Sequence, residues 1–306
     1  MTNIKNLKDE RIGLINYNKS GYLMKIIEYN SSKDLTVEFE DGSRNKGYWH
    51  TFKKGEIGKP KKDRTGEENI NNQGCKMIIT KYNNCYDSEI FFPEYNYYLK
   101  NVSYHLFKKG SVFNPLFKNK YGGYIGEGYI YTAKEKPYNV WIRMLERAYS
   151  DDYHIKEPTY IGCSVCEDWM CYSTFEKWFI DNYYELDGEK VCLDKDILVK
   201  GNKIYSPEMC IFVPQKINNL FTKNNKIRGK YPLGVYWHKK EKKFNASLNI
   251  NGNQIVVGRF DTPEEAFECY KEAKENEIKR IANEYKNKIP QILYEAMMNY
   301  QVEITD

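Results

Sequence analysis

Hydrophobic and polar positions alternate in short runs through the first third of the chain. In "LTVEF" (35–39), Leu35, Val37 and Phe39 are separated by polar residues, the period-two pattern of a half-buried strand. The pattern then recurs. "SGYLMKIIEYN" (20–30) aligns with "QGCKMIITKYN" (73–83) at a spacing of 53, and "FKKGEIGKP" (52–60) aligns with "FKKGSVFNP" (107–115) at a spacing of 55. Between these anchors "DLTVEFEDG" (34–42) and "DSEIFFPEY" (87–95) both read as strands. Each copy therefore predicts a small antiparallel sheet. A strand begins near Met24 or Met77, a turn holds Asn30 or Asn83, and a second strand follows. A Phe-Lys-Lys-Gly turn leads out to Pro60 or Pro115. No catalytic residue type recurs at an equivalent position, which points to binding or scaffolding.

Further along, the period lengthens. "PYNVWIRMLERAYS" (137–150) puts Trp141, Met144, Leu145 and Ala148 on one helical face. "STFEKWFIDNYY" (173–184) does the same with Phe175, Trp178, Phe179 and Asn182, and "PTYIGCSVCEDW" (158–169) is a compact turn between them. "GGYIGEGYIY" (122–131) reads as a turn plus strand, because its glycines match neither a dinucleotide fingerprint nor a phosphate loop. In the last third, Phe244, Ala246, Leu248 and Ile250 alternate with Asn245, Ser247 and Asn249, and Asn251-Gly252 signals a hairpin. Thr262, Pro263 and Glu265 form the start signal of a helix whose Ala266, Tyr270 and Ala273 face the sheet. A last helix starts at Pro290, with Ile292, Leu293, Ala296, Met297 and Tyr300 on its apolar side, set to pack on the preceding domain or on a second subunit.

These elements define a multidomain α+β chain. Two small repeated β modules occupy 1–61 and 62–120, and a helical middle domain follows at 121–225. A three-stranded sheet plus helix spans 226–287, with a C-terminal helix at 288–306. A length of 306 residues agrees with several domains, and 41% hydrophobic and 15% aromatic content can build their cores. No apolar run is long enough to span a membrane and the start is polar, so neither a membrane span nor a secretory signal is expected. The eight cysteines are then expected as reduced thiols in a cytoplasm. A net charge of +5 is only mildly basic for a nucleic-acid binder. The 28 tyrosines suit interfaces, although a lysine-, asparagine- and isoleucine-rich codon usage would also supply them. The stretch 53–64 carries six basic residues against two acidic ones and reads as a solvated connector or a phosphate-tracking patch.

Candidate chemistry concentrates in "VCLDKDILVKGNKIYSPEMCIFVPQKINN" (191–219). Asp194 and Asp196 are hard oxygen donors that could ligate magnesium, with Asn202 and Glu208 to orient or complete the site. None of the four histidines (His50, His105, His154, His238) lies in this stretch, and His154 reads as a surface or capping residue. Cys163 and Cys166 form a Cys-x-x-Cys pair, which with Cys192 and Cys210 is the one conceivable zinc set, although a second close pair is missing. The ordered combination "YIGCSVCEDW…F…W" followed by "LDKDILVKGNKIYSPEMC", over about residues 138–220, resembles the HNH-type proteins of phages. That resemblance implies a metal-dependent nuclease frame; without its histidine it lacks the general base that activates water.

"GVYW", "FNASLNING" and "VVGRFDTPEEAFECY", in this order within 232–282, resemble an Apetala/ERF-type DNA-binding domain. The resemblance implies a three-stranded antiparallel sheet, backed by one helix, that lays its open face into the major groove. Tyr236, His238, Lys240, Lys243, Asn245, Ser247 and Asn249 are the candidate nucleic-acid or partner face. No arginine falls between Gly229 and Val257, so bidentate guanine contacts are thinned.

Three functions follow as expectations. The leading one is a non-catalytic phage protein, free of cofactor, acting in the host cytoplasm. In length and module order it resembles the anti-defence proteins directed against the Gabija system. That implies a self-associating inhibitor that wraps a host nuclease–ATPase complex and blocks its access to DNA. The mild positive charge speaks against DNA mimicry. The alternatives are a Mg2+-dependent HNH homing endonuclease and a phage protein that binds duplex DNA without cutting it.

Overall fold

The period-two runs of the first third form strands, and they do so twice. In the computed structural model, which describes residues 10–60, 62–127, 135–221, 230–250 and 252–304, the chain is α+β and divides into units Met1–Asn114 and Pro115–Asp306. The first unit holds β1 (Ile15–Tyr17), β2 (Leu23–Ser31), β3 (Asp34–Phe39), β4 (Arg44–Gly47) and α1 (Trp49–Lys53). It then repeats the series as β5 (Glu68–Ile70), β6 (Lys76–Asn84), β7 (Asp87–Phe92), β8 (Tyr97–Val102) and α2 (Tyr104–Lys109). Each set of four strands is an antiparallel meander in chain order.

The duplication reaches single hydrogen bonds. The ladder slips between Ile26 and Glu28 in the first copy and between Ile79 and Lys81 in the second. Asn18 is 7% exposed; its Nδ2 donates to Ile57 O at 3.2 Å and its Oδ1 accepts from Ser20 N and Tyr22 N. Asn71 repeats this with Val112 O at 2.9 Å and with Gln73 N and Cys75 N. A buried amide must meet its partners inside the protein, so each Asn fastens the segment after the short helix to the first hairpin. The Phe-Lys-Lys-Gly segments expected as turns are the ends of α1 and α2. Ser103 caps α2, and Gly110 closes it at φ 71°, a left-handed position that a side chain would strain.

The second unit begins with helices. α3 (Lys136–Tyr149), α4 (Asp151–Lys156), β9 (Ser164–Val165), α5 (Glu167–Met170) and α6 (Tyr172–Asn182) precede β10 (Val191–Asp194), β11 (Ile204–Tyr205), β12 (Ile211–Pro214) and α7 (Gln215–Phe221). β10 pairs antiparallel with β12, while β9 and β11 form a short parallel pair. The predicted helix face is the buried one: Trp141, Met144, Leu145 and Ala148 pack with Trp169, Tyr172, Phe175 and Phe212. Trp141 is fully buried and its Nε1 donates to Trp169 O at 2.7 Å. Gly123 accounts for part of the glycine-rich stretch, since a Cβ there would collide with Leu145 and Trp141. The strand expected within 122–131 lies partly outside the described residues, and Asn182 is exposed rather than part of the apolar face.

The chain ends in β13 (Val235–His238), β14 (Lys243–Ile250), β15 (Asn253–Phe260), α8 (Pro263–Tyr285) and α9 (Gln291–Met298). The strands form one antiparallel sheet in chain order. Thr262 and Glu265 close a reciprocal capping box at the start of α8. Ala266, Phe267 and Tyr270 from its first turns cover Val235, Ala246 and Leu248. Its last turns leave the sheet, and Ile278, Ile281, Ala282 and Tyr285 join Ile211, Val213 and Ile217 of the middle segment and Leu293 and Met297 of α9. One helix thus serves two cores across the boundary drawn near residue 225. Of the hairpin dipeptide, Asn251 lies outside the described residues, and Gly252 donates to Asn249 Oδ1 at 2.9 Å.

Candidate functional site

The stretch 191–219 places its acidic pair at the end of β10, where the chain turns before β11. Asp194 Oδ1 accepts from Asp196 N at 2.9 Å and from Ile197 N at 2.8 Å, so this carboxylate shapes the turn. Burial, and then the neighbouring Asp196 charge, push the Asp194 carboxyl above the usual carboxylate range. Asn202 is spent in the same way. Its Nδ2 donates to Lys195 O and Ile204 O, both at 2.7 Å, and its Oδ1 accepts from Ile204 N at 3.1 Å. Glu208 is exposed, and a hydrogen bond from Ser206 holds it below its ordinary value.

The residue that organises this turn is Lys195, the middle of Asp-Lys-Asp. Its side chain is only 9% exposed, and Nζ lies 3.0 Å from Asp196 Oδ2 and 3.1 Å from Asn202 O. The ammonium also sits 5.8 Å from the centre of the Tyr160 ring, near the limit of a cation–π contact. Burial opposes the charge, but Asp196, Cys163 and Asp194 together outweigh it and raise the lysine above its ordinary value. Arg147 on α3 lies 5.7 Å from the same ring. Burial pushes the phenols of Tyr160 and Tyr205 upward, so both stay neutral beside these cations. The signal for Lys195 was present in the sequence, as a lysine flanked by the two candidate ligands.

A divalent ion does not fit this donor set. Magnesium takes about six oxygens in near-octahedral array. Here Asp194 Oδ1 is engaged with two backbone donors, and the lysine ammonium holds Asp196 and the Asn202 carbonyl. Among the described residues, no group of three or more His, Cys, Asp or Glu side chains is placed to hold a metal ion. His154 Nε2 lies 2.9 Å from Arg147 O, where it serves the end of α3. Cys163 and Cys210 are buried, with burial pushing Cys210 up to about 12, and Cys192 Sγ donates to Gln215 Oε1 at 3.2 Å. Cys163 and Cys166 are likewise raised by burial.

The open face of the C-terminal sheet differs from expectation in its centre. Asn245 and Ser247, read as displayed residues, are 2% and 8% exposed. They sit on the middle strand, and the flanking strands reach over them. Asn245 Nδ2 donates to Tyr236 Oη at 3.1 Å, and Gln254 Nε2 donates to Ser247 Oγ at 3.0 Å. Asn245 Oδ1 is buried with no hydrogen-bond partner among the described residues. Lys240 lies in the turn after β13, off the sheet, while Asn249 is exposed as expected.

Register brings in an arginine that the linear window missed. Arg259 stands opposite Asn245 and so shares its face. The charges on this face compensate one another. Arg259 Nε lies 2.9 Å from Glu241 and Lys243 Nζ lies 2.6 Å from Asp261. Such a face offers fewer free cations to phosphates than its lysine count implies. Among the described residues no helix is long and apolar enough to cross a membrane. No family model, curated protein or solved structure matches the chain.

Proposed function

We propose that the protein is a non-catalytic binding protein that keeps an HNH-like frame without its reaction centre. The observation that carries this reading is Lys195, whose ammonium stands among the groups a nuclease would give to its metal. Asp194 and Asn202 supply the reading's second support, because their polar atoms close the turn instead of facing a substrate. The tandem modules, with their repeated structural asparagines, add scaffold. The finer reading is a phage-encoded inhibitor acting in the host cytoplasm as an oligomer. It binds a host anti-phage complex of the nuclease–ATPase kind, as in the Gabija system, and denies it DNA by contact area. This rests on the resemblance in length and module order. Recovery of tagged protein from phage-infected cells tests it: the partner should copurify in stoichiometric amount after DNase treatment. Duplex DNA with no protein partner would overturn it.

Arg259, whose side chain is 57% exposed on this face, favours a second reading in which the face reads duplex DNA. Binding would then weaken steeply with salt, and Arg259→Ala would relax sequence preference.

A further inference from the structure

We propose that the groove between β15 and α8 binds an extended basic segment of a partner protein by adding it to the sheet as a fourth strand. β15 runs for eight residues, Asn253–Phe260, and among the described residues no strand lies on its outer side. An edge strand presents a row of unpaired amide and carbonyl groups, and proteins usually blunt it with lysine, proline or a covering segment. β15 contains neither lysine nor proline, its one charged residue, Arg259, lies next to its end, and Ile255 and Val256 in its middle are 44% and 40% exposed. It has the length of an ordinary strand, so it can pair with a strand-length peptide.

Beyond this edge the helix supplies a wall. An open groove of about 650 Å3 runs along α8, lined by Phe260 and Cys269, by Glu265, Glu268, Glu272 and Glu275, and by one cation, Lys271. Gly258 permits the close approach, since a Cβ there would come within 3.0 Å of Cys269 Sγ. Glu275 Oε1 accepts from Val302 N at 2.9 Å. Glu268 and Glu272 are exposed, lie one turn apart and make no ion pair among the described residues. Like charges at this spacing repel and destabilise a helix slightly. The four carboxylates of the lining outnumber its one cation, Lys271, and on a chain of net charge +5 this marks the groove as complementary to a basic ligand. Strand addition supplies backbone hydrogen bonds, and alternate side chains of the added strand face the helix. The segment that fits therefore alternates lysine or arginine, turned to Glu268 and Glu272, with apolar residues.

This inference goes beyond the function proposed above, because the groove is separate from the 191–208 turn and stands whether or not that turn cuts DNA. The test is an NMR titration of the 15N-labelled full chain with an acetylated, amidated octapeptide of four Lys-Val repeats. The expected result is shift changes and hydrogen-exchange protection at Asn253–Phe260 and in the first half of α8. A Glu-Val octapeptide should produce none. Glu268→Lys with Glu272→Lys should weaken the Lys-Val peptide at least tenfold while leaving the thermal midpoint near that of the wild type. Absence of shifts at β15 up to millimolar peptide would overturn the proposal. So would shifts confined to other surfaces, equal binding of the Glu-Val peptide, or undiminished binding by the folded double variant.

Discussion

Replacing Lys195 by Met keeps the aliphatic stem and removes the ammonium, which isolates the role of its charge. Two hydrogen bonds disappear, to Asp196 Oδ2 at 3.0 Å and to Asn202 O at 3.1 Å. Hydrogen bonds that involve a charged group contribute about 1.5–3 kcal/mol each. The Asp196 side chain is 47% exposed, so water replaces much of that bond and its share falls toward the roughly 0–1 kcal/mol of a surface pair. The Asn202 carbonyl belongs to the closed turn, and the half-buried Asp194 carboxyl also loses the favourable charge of Lys195. Relief of the lysine's own burial offsets part of this. The expected destabilisation is about 2 kcal/mol. Urea unfolding followed by tryptophan fluorescence reads it, because Trp141, Trp169 and Trp178 share the adjoining core. The slope with urea should not change. An unchanged or higher midpoint would refute the claim that the ammonium is the turn's internal counter-ion.

Asp194→Asn keeps the oxygen that accepts from Asp196 N and Ile197 N but removes the charge. A carboxyl raised by burial contributes stability below its unfolded value of 3.8 and loses it as pH climbs through the folded value. The Asn variant should therefore match the wild type at pH 3.5 and equal or exceed it at pH 7, whereas Asp194→Ala loses about 1–2 kcal/mol, all read by urea unfolding at both pH values. Asn18→Ala and Asn71→Ala should each cost about 2–3 kcal/mol, because each side chain makes three or more internal hydrogen bonds, and calorimetry of the two variants should show losses that agree within about 1 kcal/mol. Gly123→Ala forces a methyl against Trp141 and Leu145 and should cost about 1–3 kcal/mol in the same fluorescence assay.

Periodicity carried most of the fold. The 53-residue repeat is legible because two copies of one module must bury the same positions, as Met24 and Met77 or Ile26 and Ile79 do. The capping box at Thr262 was readable because its geometry is local. The short helices after β4 and β8 were read as turns, since five or six residues carry too little periodic signal. Strand alternation placed Asn245 and Ser247 on the open face, but their burial depends on side chains from β13 and β15. Arg259 was missed for the same reason, because a hairpin brings residues together that lie far apart in sequence. In the 191–208 stretch, residue types suggested metal ligands, and only hydrogen-bond geometry assigns Asp194 and Asn202 to the backbone.

The absence of a working nuclease centre is tested most directly by incubating the purified chain with supercoiled plasmid in Mg2+ or Mn2+, beside Asp194→Ala. No nicked or linear product from either protein, over hours at micromolar concentration, is the predicted result. Conversion by the wild type that disappears in Asp194→Ala would mean that the Lys195 turn opens to take a metal, and would contradict the account.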